Sequence, residues 1–241
     1  MPEAVKVMRK YISISLLLVI SLLTACSEQY NIMGNSSVDN YDGNVLYLKV
    51  MTADNVPCAY DSSEVVHGKF GFEGNVDTVC MAQIWMGSNS LLPIVLESGD
   101  IQISFTDTEQ TVRGGNLNER LYKFLNENAR LQNEIQNNTQ SLARLIMMGS
   151  SPSTHLQIEQ RNEDLQEKLD KLWTGFISDN SDNVLGPIYF MEYTAQYFYP
   201  VITPQIEKIL KHAPESFLRN PDVQGYVRDA RFNMRLMQGD Y

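Results

Sequence analysis

The hydrophobic period of this chain changes once, at Gly114-Gly115, and that change limits the folds open to it. Before the glycines, apolar residues alternate or form short runs. Val45-Leu46-Tyr47-Leu48-Lys49-Val50 reads as a buried strand, Val79 to Met86 as another and Leu91 to Leu96 as a third. Ile101, Ile103 and Phe105 alternate with polar residues, which puts one strand face on a core. Val65 to Phe72 reads as a hairpin turning at His67-Gly68. Short strands parted by regular turns predict an antiparallel β-sandwich or an open barrel.

After the glycines the steps become three and four. Leu117, Leu121, Phe124, Leu131, Ile135, Leu142 and Leu145 form a helical seam, with Asn128 and Asn138 filling two stations. Gly149 to Ser153 breaks it, and Ser153 or Thr154 is expected to cap a second helix. There Ile158, Leu165, Leu169, Leu172 and Phe176 repeat the spacing, with Asn162 at one station. Two long helices joined by a short loop predict an antiparallel helix hairpin. Shorter helices follow: one from Asp182 or Asn183 to Pro200, one opening at Pro204, and a last over Val223 to Met237. The expected class is α+β, with a β domain over residues 26–114 and a helical domain over 115–241.

Residues 1–25 stand apart. Lys6, Arg9 and Lys10 precede an apolar stretch from Tyr11 to Leu23, and Thr24-Ala25-Cys26 closes it. Thirteen residues are too few for a spanning helix, and a basic, apolar, small-residue order is that of a secretory signal. The pattern resembles the lipobox of bacterial lipoproteins. That resemblance implies cleavage after Ala25, a diacylglycerol thioether on Cys26 and acylation of the new N-terminus, hence a palmitate-type membrane anchor. Ser27-Glu28-Gln29 carries a single acid, so the periplasmic face of the outer membrane is expected over surface display. Formal net charge is −10; the leader carries +2, leaving −12 on the mature chain. Such a chain repels phosphate backbones, so no nucleic-acid partner is expected.

Little in the remaining residues selects a chemistry. Cys58 and Cys80 could pair in an oxidising compartment, or could be buried apolar thiols. Cys58 is placed before a strand and Cys80 within one, positions that do not activate a thiolate. His67, His155 and His212 lack the spacing of metal ligands, so no metal and no cofactor is expected. Gly114-Gly115 opens a helix and could offer backbone N–H groups to an anion, although a tight turn explains the pair as well. Tyr189, Tyr193 and Tyr197 fall four apart on one helix face. They suit either an interaction patch for protein or glycan, or packing against the hairpin. Asp77-Thr78-Val79 resembles a three-residue O-glycosylation site, which would place a glycan on Thr78.

A broader likeness rests on several stretches. They are Tyr30-x-Ile32-x-Gly34, Val45-Leu46-Tyr47-Leu48, Gly68-Lys69-Phe70-x-Phe72-x-Gly74, Leu92-Pro93-x-x-Leu96-Glu97-x-Gly99-x-Ile101 and Val112-x-Gly114-Gly115-x-Leu117-Asn118. Together they resemble the β-rich domain of unknown function found in Bacteroidetes-type lipoproteins. In many relatives a thioredoxin-like domain of the TlpA or AhpC class follows, with a Trp-Cys-x-x-Cys site. This chain contains no Cys-x-x-Cys, so that activity is not carried over. The expectation is a non-catalytic envelope lipoprotein that binds a protein or glycan. The alternative is an accessory or truncated part of a thiol–disulfide oxidoreductase.

Overall fold

The computed structural model describes residues 28–51 and 56–238. Strands fill the first part: β1 (Gln29–Ser36), β2 (Val45–Met51), β3 (Pro57–Glu64), β4 (Lys69–Asn75), β5 (Cys80–Met86), β6 (Asn89–Leu96), β7 (Gly99–Phe105) and β8 (Gln110–Arg113). They form two four-stranded sheets, ordered β4-β1-β7-β8 and β3-β2-β5-β6. Every neighbouring pair is antiparallel except β1 and β7, which run parallel. Among the described residues no ladder joins the sheets, so the fold is a sandwich, and the open-barrel alternative falls.

The alternation read from sequence is what closes the sandwich. Ile32, Phe72, Ile101, Ile103 and Phe105 of one sheet are buried with Leu46, Leu48, Ile84 and Ile94 of the other. Their neighbours in sequence point outward, the period-2 consequence of the pleat. The His67-Gly68 turn forms, closed by hydrogen bonds between Val66 and Lys69. It does not make a hairpin within one sheet, because β3 and β4 on either side belong to different sheets. β3 is an exposed strand of polar sequence that alternation does not reveal; its eight residues extend because they pair with β2.

Helices fill the rest: α1 (Asn116–Met147), α2 (Pro152–Asp179), α3 (Leu185–Thr194), α4 (Pro204–His212), α5 (Glu215–Leu218) and α6 (Pro221–Gln238). α1 and α2 make the expected antiparallel hairpin, α1 running about 48 Å at 1.5 Å per residue. The polar stations of the seam meet across it: Asn138 Nδ2 donates to Asn162 Oδ1 at 2.9 Å. Arg161 reaches Glu134 on the facing helix at 2.6 Å. α3 begins at Leu185 and ends at Thr194, short of Pro200, so Tyr197 lies in the loop beyond it. Leu185, Tyr189, Phe190 and Tyr193 are all buried, so this helix is enclosed on more than one side.

Candidate functional site

Among the described residues, three places around the helix hairpin draw attention. They are the joint between sandwich and helices, the aromatic base of the hairpin, and the hairpin tip.

At the joint, Gly114 and Gly115 hold φ values of 80° and 76° and turn the chain from β8 into α1. The helix N-terminus they open does not face solvent. Glu97, buried at the end of β6, puts Oε1 3.0 Å from the Leu117 N–H and 2.9 Å from the Asn118 N–H. The anion suited to a helix N-terminus is therefore the protein's own carboxylate. A Cβ on Gly115 would collide with that carboxylate, which with the positive φ explains the glycine. Asn118, fully buried, completes the joint. Its Oδ1 accepts from the Val95 N–H at 2.8 Å, and its Nδ2 donates to the Val95 carbonyl at 2.7 Å and to Glu97 Oε1 at 3.0 Å. The Tyr122 hydroxyl donates to the Pro93 carbonyl at 2.8 Å. α1 thus satisfies the free edge of β6 with side chains, as a further strand would with backbone. The two stretches Leu92-to-Glu97 and Gly114-to-Asn118 meet here.

At the base, Phe124 of α1 stacks on Phe176 of α2, ring centroids 4.1 Å apart, and meets Trp173 edge-on at 4.9 Å. Tyr189 of α3 packs edge-on against both phenylalanines. The polar tips are taken: Trp173 Nε1 donates to Asn128 Oδ1 at 2.9 Å, and the Tyr193 hydroxyl donates to Asp170 Oδ1 at 2.5 Å. Burial pushes the Tyr122, Tyr189 and Tyr193 hydroxyls above the ordinary tyrosine range, with Asp170 adding to the effect on Tyr193. Tyr189 and Tyr193 are buried and Tyr197 is half-buried, so of the two readings of the stripe the burial agrees with packing against the hairpin rather than with an interaction patch. The physical reason is coverage, since α2 lies over the stripe and removes it from water. Beside this core an open groove of about 640 Å³ runs between α1 and α2, with Phe124, Leu172 and Phe176 among its lining and Arg120, Lys123 and Lys171 as its cations. A smaller recess of about 230 Å³ is lined by Asp170, Trp173, Glu192 and Tyr193, together with Gln132 and Gln196. Desolvation there pushes the Glu192 carboxyl upward.

At the tip, the backbone is fixed and the side chains are bare. The Ser150 N–H returns to the Leu145 carbonyl at 3.0 Å and the Gly149 N–H to the Ile146 carbonyl at 3.1 Å, with Gly149 at φ 72°. That is a Schellman closure. Ser151 then stands at the N-cap, two or three residues ahead of the expected cap, and Pro152 at the first helical position. His155 Nε2 contacts Ser150 Oγ at 2.8 Å, which ties the loop to α2. On this frame Met147 is 87% exposed and Met148 81%, with Ile146 and Leu156 also bare.

The remaining sequence expectations resolve individually. Cys58 lies within β3, not before a strand, and is exposed. Cys80 is half-buried in β5, and burial pushes its thiol upward, away from thiolate chemistry. Both are free, and β2 runs between their strands. Two strand spacings of about 4.8 Å exceed the roughly 7 Å limit for a bridge, so the disulfide alternative is corrected. Cys58 also departs from the buried-thiol alternative. Thr78 is exposed in the bend between β4 and β5. His67 and His212 are exposed, the latter with Nδ1 2.9 Å from the Lys208 carbonyl at the end of α4. Cys26 lies outside the described residues. Among the described residues no three His, Cys, Asp or Glu stand together as metal ligands, and no helix is long and apolar enough to cross a membrane. Sequence reasoning missed Glu97 and Asn118 as partners and missed the bare tip. Val95-to-Asn118 bonding has no periodic signal, whereas Ile146-Met147-Met148 beside a Gly-Ser loop was a signal available to be read.

The architecture is thus that of a two-sheet sandwich clamped to a helical region through a buried carboxylate–amide joint. Residues 30–121 match a domain of unknown function (DUF4369). The matched stretch runs from β1 into the first turns of α1, contains every residue of the joint except Tyr122, and stops before the hairpin shaft. None of the curated proteins matches the chain.

Proposed function

We propose that this protein is a non-catalytic lipoprotein of the bacterial cell envelope that presents its helix hairpin to a protein partner. The observation that carries the proposal is the tip. Ile146 and Met147 at the end of α1, Met148 in the hydrogen-bonded loop and Leu156 in the first turns of α2 are exposed together at the far end of a hairpin whose base is pinned by aromatic rings. Methionine adapts its shape to apolar partners, and a contiguous apolar patch with a polar surround suits association. A preordered loop also lowers the entropy cost of binding. The leader pattern ending at Cys26 supports a lipid tether in the envelope, and the match over residues 30–121 is to a domain of unknown function. The tyrosine stripe plays the supporting part, holding the hairpin out from the body.

The test is capture from detergent-solubilised envelopes. The parent chain is expected to enrich a partner that the Met147→Ser/Met148→Ser variant loses while melting at the same temperature. Equal enrichment by both chains would remove the tip from the proposal.

The second reading, an accessory part of a thiol–disulfide oxidoreductase, draws on the same domain match and on two free thiols. Cys80 is a poor candidate because burial favours its protonated form. Turnover in an insulin-reduction assay, lost on Cys58→Ser, would favour this reading.

A further inference from the structure

The last helix carries a surface that the hairpin proposal does not use. Arg228, Arg231 and Arg235 fall at steps of three and four along α6, on one face. Arg228 is paired with Asp229 at 2.8 Å, whereas Arg231 and Arg235 have no acidic partner among the described residues. In a chain of net charge −10, α6 sets three arginines against Asp222 and Asp229, and the face that carries Arg231 and Arg235 is a local reversal of sign. They border a groove of about 440 Å³ whose apolar lining comes from Leu218, Val223 and Val227. Along the neighbouring face Phe232 and Leu236 are exposed, Phe232 at 54%. The loop after α3 adds to them. It is held to α6 by Asn233 Nδ2 donating to the Pro200 carbonyl at 3.0 Å and by Tyr226, whose hydroxyl donates to the Val201 carbonyl at 2.9 Å. That loop carries Phe198, fully exposed, and Tyr199, whose ring lies by Leu236 in a second shallow apolar recess.

We infer that this face of α6 docks on the surface of an anionic phospholipid bilayer, as a contact of the folded domain separate from any lipid tether. Charge complementarity selects an anionic partner, with the guanidinium groups meeting lipid phosphates. The aromatic and aliphatic side chains select a bilayer over an acidic protein. Phe198 protrudes from a loop as a wedge that needs a yielding apolar phase, and arginine stems lying along Leu and Val suit the interface between headgroup and acyl chain.

The test uses the chain from residue 26 onward with Cys26→Ser, which removes the leader and the acylation site but keeps every buried core side chain from Tyr30 to Ala230. Co-sedimentation with phosphatidylglycerol-containing vesicles is expected to be at least about tenfold tighter than with phosphatidylcholine vesicles, and to weaken with salt. Arg231→Gln and Arg235→Gln should each cost about fivefold on the anionic vesicles. Phe198→Ser should weaken binding to the anionic vesicles without altering the melting temperature. No binding, equal binding to both vesicle types, or binding indifferent to these substitutions would overturn the inference. Arginine-dependent binding to poly-glutamate that is tighter than to the vesicles would also overturn it, and would reassign the face to an acidic protein.

Discussion

The two ends of the hairpin are built from the same repeat of threes and fours yet end in opposite states. At the base, Phe124, Trp173, Phe176 and Tyr189 touch one another, and the indole N–H and the Tyr193 hydroxyl have partners. At the tip, the backbone is equally well bonded, but Met147 and Met148 stand in water. Apolar side chains buried with their polar tips satisfied account for stability. Apolar side chains left bare together at a hairpin tip add little to folding, and a contiguous exposed patch of them points to association. The contrast gives one end a structural role, and the recognition role proposed for the other rests on it.

The sharpest way to break that contrast is at the base. Phe124→Ala is expected to cost about 3–5 kcal/mol, the usual loss for a buried aromatic ring. Chemical denaturation measures the cost, and hydrogen exchange should show α1 and α2 opening together. A loss below about 1 kcal/mol would mean that the rings do not pin the hairpin.

Alkaline pH probes the same end without mutation. In the unfolded chain the tyrosines ionise near 10.0, whereas burial holds Tyr122 and Tyr189 protonated to higher pH in the fold. Above pH 10.0 the unfolded state therefore binds fewer protons, and stability falls as pH rises. Each of the two should remove up to about 1.4 kcal/mol per pH unit in that window. Melting curves should show the decline. Tyr189→Phe should reduce its slope, and a flat profile above pH 10.0 would contradict the burial.

A smaller effect is expected at the joint. Glu97→Ala removes the acceptor for the Leu117 and Asn118 N–H groups and should cost about 2 kcal/mol. Urea unfolding measures it, and hydrogen exchange should rise first in the opening turn of α1. The smallest effect belongs to the tip, where Met147→Ser/Met148→Ser should change stability by less than about 0.5 kcal/mol while removing partner capture.

What the sequence revealed follows the same division. Periodic features were legible: the inward strands, the hairpin seam, and Asn138 and Asn162 as polar stations that meet at 2.9 Å. β3 was not, because Pro57-Cys58-Ala59-Tyr60-Asp61-Ser62-Ser63-Glu64 has no buried face and is a strand only through its pairing with β2. The Glu97–Asn118 contact was not, because a side chain bonding a helix start 21 residues away leaves no spacing rule. Tyr189 and Tyr193 were legible as one helix face, but which way that face turned depended on α2 covering it. Leu185 and Phe190, apolar on the same short helix, were the available hint of enclosure.

The most direct measurement places a photo-crosslinking amino acid in the full chain in its native cells, at Met147 in one strain and at the exposed shaft residue Asn137 in another. The division of labour along the hairpin predicts a discrete covalent adduct to a second protein from position 147 and none from position 137. Adducts of equal yield from both positions, or none from 147, would contradict it.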